Sequence, residues 1–200
     1  VAFGNLNEMR AAMSDKTAAI LVEPIQGEGG INPASTAYLQ SLRDIADEFN
    51  TLLIFDEVQC GMGRSGKLFA YEIANVAPDI MGLAKGIGGG FPVGAVLATE
   101  KAASGMVPGT HGSTYGGNPL AMAAANAVLD VMLEKDFLAS VLKKGTKLKN
   151  DLVSLVEKHS TVLESVRGVG LMLGIKSVGP NLELMAAFRE NKLLTVVAGE

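Results

Sequence analysis

One cysteine, two histidines and no run of like charge occur in the 200 residues, and each shortage removes a class of function. Cys60 alone forms no internal disulfide, which fits a reducing compartment, so a cytoplasmic location is expected. Packed in a loop, it reads as a small filler rather than a reactive thiol. His111 and His159, with no cysteine cluster, leave no ligand set for a structural zinc, and no metal is expected. The apolar runs fall far short of the roughly 18–20 residues that span a bilayer. The stretch from Val1 to Arg10 lacks a basic start followed by an apolar core, so no secretory leader is read there. Lys+Arg is 17 and Asp+Glu 21, a net charge of −4 with no basic patch, which argues against nucleic acid or an acidic membrane as partner.

What the sequence has is apolar residues, 48 % against 19 % charged, which excludes disorder. It also has 24 glycines, well above the usual share of about 7 %, and these belong in special loops. The first 135 residues alternate apolar runs with amphipathic stretches. Thr17 to Val22, Leu52 to Phe55, Ile80 to Leu83 and Val93 to Ala98 read as strands. Thr36 to Phe49 places Leu39, Leu42, Ile45 and Phe49 at helical spacing. This alternation predicts an α/β architecture with active residues at the carboxyl ends of parallel strands. Asn118-Pro119 marks a helix start, and the apolar stretch Leu120 to Leu133 predicts a helix buried all round. Phe137 to Lys158 predicts a second helix. Strands at Thr161 to Val166 and Leu171 to Ile175, a helix at Leu182 to Asn191 and a last strand at Leu193 to Val197 read as part of a small α+β unit. The domain reading is therefore 1–135 and 136–200.

Four stretches carry candidate chemistry. Asp56-Glu57-Val58-Gln59 ends the most apolar strand, so Asp56 is partly buried and needs a partner. A ring nitrogen would serve, held protonated so that the ring draws electrons. Lys85 lies among glycines and aliphatics, with no other charge between Asp79 and Glu100. Desolvation there frees its amine as a nucleophile toward aldehydes. His111 to Pro119 sets hydroxyls and glycines before a helix start, a plausible phosphate site or a capping loop. Glu23 to Gly30 puts Glu23 and Glu28 at a strand end, for acid/base work or simply facing water. A fifth stretch, Gly61 to Lys67, resembles both a dinucleotide fingerprint with Asp79 as its acid and a phosphate-binding loop. Leu68 stands where the latter needs a hydroxyl. A nucleotide-binding module remains the non-enzymatic alternative.

In order, VEPIQGEGG, LLIFDEVQCGMGRSG, LAKGIGGGFPVGAVLA and HGSTYGGNPLA resemble the pyridoxal-phosphate-dependent aminotransferases of subgroup III, most of all the acetylornithine/succinylornithine group. The resemblance covers essentially the whole chain and includes equal intervals from Asp56 to Lys85 and from Lys85 to Thr114, 29 residues each. It implies a partial fold type I large domain with part of a small C-terminal domain, and pyridoxal 5'-phosphate carried covalently on Lys85. The cofactor site it implies comprises Asp56 on the pyridinium nitrogen, Glu57, Val58 on a ring face, Gln59 on the phenolic oxygen, and Thr114 on the phosphate of a neighbouring subunit. Ser113 would contact substrate, and Glu28 would be the gating carboxylate that sorts substrates. The implied reaction moves the terminal amine of N-acetylornithine or N-succinylornithine to 2-oxoglutarate in a homodimer. Another ω-amino-acid aminotransferase or an aminomutase of this fold is the alternative. Family members run longer at both ends, so these 200 residues alone are expected to bind the cofactor poorly and not to turn over.

Overall fold

Residues 1–199 are described by a computed structural model. The elements in chain order are α1 (Leu6–Ala12), β1 (Ala19–Val22), β2 (Ile25–Gln26), β3 (Asn32–Pro33), α2 (Thr36–Glu48), β4 (Leu52–Asp56), α3 (Tyr71–Ala74) and β5 (Ile80–Leu83). A 3-10 turn (Lys85–Gly88) follows, then β6 (Ala95–Ala98), α4 (Glu100–Ala103), α5 (Pro119–Met132), α6 (Phe137–Lys158), β7 (Leu163–Val169), β8 (Met172–Ser177) and α7 (Asn181–Glu190). The main sheet has the order β1-β4-β5-β6, with β1, β4 and β5 parallel and β6 antiparallel at the edge.

Side chains alternate across this sheet, and the two faces differ. On one, Ile20, Leu53 and Phe55 pack against Leu39, Leu42 and Ile45 of α2, all buried. Ser35 starts that helix by accepting the N–H of Tyr38 at 3.1 Å, a cap that a following amphipathic stretch needs. Farther along the same face, Met81 and Leu83 meet Met62, Ile87, Ala125 and Met132. On the opposite face, Leu21 is 69 % exposed and Val96 74 %. Asp56 is two residues on from Ile54 and so lies on this open face.

Two expectations are corrected. α5 begins as predicted, with Asn118 accepting the Ala121 N–H and Pro119 in the first turn, but it is not buried all round. Only Ala121, Ala125 and Met132 are covered, while Leu120, Val131 and Leu133 face outward, because the sheet and α6 approach it from one side. The stretch Leu193 to Val197 forms no strand; no neighbouring strand offers it a ladder. The β7–β8 hairpin instead packs on α6 and on β3. Among the described residues no helix is long and apolar enough to cross a membrane.

Candidate active site

Three loops converge at the carboxyl ends of β1, β4 and β5, where open α/β sheets hold their ligands. The first is the tip of the small β2–β3 ribbon, carrying Glu28. The second is the turn after β4, carrying Asp56, Val58 and Gln59. The third is the turn after β5, carrying Lys85.

Asp56 pairs in register with Gly82 on β5, and Lys85 follows three residues later, past the end of that strand. A Cβ on Gly82 would meet nothing within 4 Å, so the sheet surface beside Asp56 is bare and could floor a flat ring. Asp56 is half-buried, and its Oδ1 accepts the N–H of Val58 at 3.0 Å. That bond fixes the carboxylate at the strand end and leaves the other oxygen free. The expected desolvation of Lys85 is corrected: its apolar neighbours Leu83 and Ile87 turn into the core, and Lys85 itself is exposed. It sits at φ 48°, a left-handed conformation that non-glycine residues seldom adopt and that clusters at functional sites. Among the described residues neither Asp56 nor Lys85 makes an ion pair. A carboxylate and an unpaired lysine at the ends of adjacent strands, beside a bare surface, are chemically suited to a planar heterocycle with a basic nitrogen and a carbonyl.

Gln59 crosses toward the ribbon tip and donates from Nε2 to Glu28 Oε1 at 3.4 Å. Gly27 permits the crossing: a Cβ there would overlap the Gln59 amide, with its Cδ at 2.5 Å. Glu28 and Gln59, predicted separately from sequence, are thus neighbours.

Glu57 points the other way. Fully buried, it accepts the N–H groups of Ala70 at 2.6 Å and Tyr71 at 2.8 Å, at the start of α3. Burial drives its pKa up to about 7, against those two hydrogen bonds, which pull it down. Its carboxylate therefore pins the 57–70 loop, and this geometry gives it no side-chain route to a ligand beside Asp56. Cys60, also buried, has its thiol pushed up to about 12, mainly by burial, so it stays protonated and inert.

The nucleotide alternative is overturned. In the Gly61–Lys67 loop the amides of Gly61, Gly63, Arg64 and Gly66 already donate to carbonyls within 57–68, so no N–H cradle faces outward for a phosphate. A Cβ at Gly63 would strike Met132, and one at Gly66 would strike Leu142; these glycines let α5 and α6 approach. Asp79 accepts the Leu53 N–H and pairs with Arg43 at 2.8 Å. Burial opposes ionisation there, but these partners hold its pKa below the usual carboxylate range.

Ser113 and Thr114 lie in an exposed loop before α5. Ser113 Oγ accepts the Gly116 N–H at 2.9 Å. Among the described residues no side-chain hydrogen bond joins either to Asp56 or Lys85. Sequence reading missed the residues that hold the Glu28 loop from outside, Ile31, Asn32 and Arg167. Their one signal was Arg167, a charge set between Val166 and Gly168 in β7.

This α/β sheet, with its lysine and aspartate at neighbouring strand ends, has the type I fold of the pyridoxal-phosphate-dependent transferases. Aligned with solved structures, it matches an ornithine aminotransferase from Plasmodium yoelii with a TM-score of 0.92 and 36 % identity, over 99 % of this chain and 54 % of that one. It matches an N-acetylornithine aminotransferase from Stenotrophomonas maltophilia with a TM-score of 0.89 and 37 % identity, over 100 % and 53 %. In sequence it is 56 % identical to acetylornithine aminotransferase 1 of Bradyrhizobium diazoefficiens, over 100 % of this chain and 49 % of that protein. The acetylornithine aminotransferase of Agrobacterium fabrum is also 56 % identical, over 100 % and 50 %. The chain thus spans about half the length of the curated relatives it matches. The family model for class-III aminotransferases matches residues 2–200, and the chain belongs to that family.

Proposed function

We propose that this chain carries the lysine-bearing part of the active site of an enzyme that moves the terminal amino group of N-acetylornithine, or N-succinylornithine, to 2-oxoglutarate with pyridoxal phosphate. The observation that carries the reading is the pairing of Asp56 with Gly82 and the strained Lys85 turn beyond it, on the open face of the sheet. Relatives named for acetylornithine, 51–56 % identical, favour that donor over other ω-amines.

Pyridoxal phosphate, when bound, supplies an aldehyde that condenses with amines and a ring that takes up electrons. Asp56 would hold a proton on the ring nitrogen. Lys85 Nζ would hold the cofactor covalently and, when released, would act as the base at the donor carbon that bears nitrogen. Val58 would cover one ring face, and Gln59 Nε2 would donate to the phenolic oxygen. Thr114 and Ser113 reach the neighbouring subunit of a homodimer, Thr114 to its phosphate and Ser113 to its donor. Their exposure supports that reading. Glu28 sorts substrates by their carboxylates. Residues 1–135 belong to the cofactor-holding unit and 136–200 to a smaller one, in a cytoplasmic enzyme acting on small molecules.

The test is borohydride reduction of the holoenzyme followed by peptide mapping. A pyridoxyl label on Lys85, absent from Lys85→Ala, is expected; a label elsewhere, or none, overturns the proposal.

A further inference from the structure

The tip of the β2–β3 ribbon is gripped from behind by the β7–β8 hairpin. Ile31 lies at φ 54°, a conformation strongly disfavoured for a β-branched residue. Such a residue stays there only where its surroundings over-determine it. Here they do so by shape. A Cβ on Gly174 would stand 2.9 Å from Ile31 Cγ1, and one on Gly168 would stand 3.0 Å from Ile31 Cγ2. The side chain therefore fills a notch that a Cβ on Gly174 would close, while Gly168, at φ 110°, is first required by its own hairpin, where a Cβ would strike the Met172 carbonyl. Next to it, Arg167 Nη1 donates to Asn32 Oδ1 at 2.8 Å and to Gly30 O at 3.4 Å. Asn32 Nδ2 passes the restraint on to Gly29 O at 2.6 Å. Glu28 is the next residue, and its own carbonyl accepts the Gly199 N–H at 2.7 Å. On its far side its carboxylate meets Gln59.

We propose that Ile31 and Arg167 are positioning residues: they tie the Glu28 tip to the β7–β8 hairpin, so that the hairpin's placement sets how Glu28 discriminates between substrates with one and two free carboxylates. This rests on the reading of Glu28 as the substrate-sorting carboxylate. A tip tied only to β2 and β3 would move freely; this one moves with the hairpin.

The test uses the pyridoxal-phosphate-loaded holoenzyme and two readouts. One is the ratio of kcat/KM for glutamate to kcat/KM for the acylated ornithine donor. The other is backbone deuterium exchange over residues 28–32 without substrate. Glu28→Gln sets the ratio change that loss of the charge produces. Gly174→Ala, whose new methyl meets Ile31, should shift the ratio in the same direction by about three- to tenfold and speed exchange at the tip. Ile31→Gly should do likewise. The double variant should be less perturbed than the two shifts combined, because the glycine removes what the methyl strikes. Arg167→Lys, which keeps the charge but replaces the planar guanidinium that donates to Asn32 and Gly30, gives a milder shift of the same sign and serves if the others do not fold. If Glu28→Gln moves the ratio and the anchor variants do not, the anchor is wrong and the reading of Glu28 stands. If Glu28→Gln leaves the ratio unchanged, that reading falls and the proposal with it. Unchanged exchange at the tip in the anchor variants also overturns the proposal.

Discussion

Asp56 and Glu57 are neighbours in sequence with opposite tasks, and the difference is the side of the strand each occupies. Asp56 reaches the open face with one oxygen free, while Glu57 turns inward onto two backbone N–H groups. With its folded pKa near 7 against 4.5 unfolded, Glu57 binds its proton more tightly in the folded state. Its contribution is therefore greatest below pH 4.5 and is lost as pH rises to about 7, a slope of up to about 1.4 kcal/mol per pH unit. Glu57→Gln should flatten that slope. It should also cost about 1–3 kcal/mol, because its NH2 group faces a backbone donor where an oxygen stood. Urea unfolding of both proteins from pH 4.5 to 8 measures this; parallel pH profiles would show that Glu57 does not titrate across folding. At Asp56 the expectation is catalytic instead. Asp56→Asn can no longer hold a proton on a ring nitrogen, and kcat should fall by at least about a hundredfold while borohydride still labels Lys85. An unchanged kcat would remove Asp56 from the mechanism.

The elements that position the site were legible where hydrophobic period and capping agreed. α2 was read as Thr36 to Phe49 and spans Thr36–Glu48; β4 was read as Leu52 to Phe55 and runs one residue further, to Asp56. Both are long or apolar enough that tertiary context has little to override. The two-residue strands β2 and β3 have no period to read, yet they build the ribbon that carries Glu28. The failed strand at Leu193 to Val197 shows the converse, since apolar character alone does not supply a partner. α5 was misjudged only in burial, because composition gives apolarity and cannot say from how many sides a helix will be met. Leu42, fully buried between α2 and the sheet, tests the packing that holds β4 and so Asp56 in place. Leu42→Ala should destabilise by about 3 kcal/mol, read as a lower urea midpoint. A change under about 1 kcal/mol would mean that α2 is not what supports the strand.

At the scale of the whole molecule, the proposed site comprises a cluster that this chain assembles and an exposed loop that the proposal assigns to a neighbouring subunit. Asp56, Gln59, Glu28 and Lys85 were scattered over 58 positions and come together because parallel strands bring their carboxyl ends to one edge. Their convergence was foreseeable from the α/β pattern, whereas the contact of Glu28 with Gln59 was not, since it depends on Gly27 having no side chain. Ser113 and Thr114 lie on an exposed loop beside Tyr115, itself 81 % exposed. The open sheet face above Asp56 carries Leu21 and Val96, largely bare. A cofactor held on that face by these 200 residues alone would have water on its outer side, where ionic and hydrogen-bonding contacts are weakened. The isolated polypeptide should therefore bind pyridoxal phosphate at least about a hundredfold more weakly than the full-length enzyme, a loss of about 2.7 kcal/mol. It should show no turnover, and its bare apolar face should make it associate. Absorbance titration with pyridoxal phosphate, alongside light scattering, measures both. Binding as tight as that of the full-length enzyme, by a monodisperse polypeptide, would place the whole cofactor site between Glu28 and Thr114 and leave the neighbouring subunit no part in it.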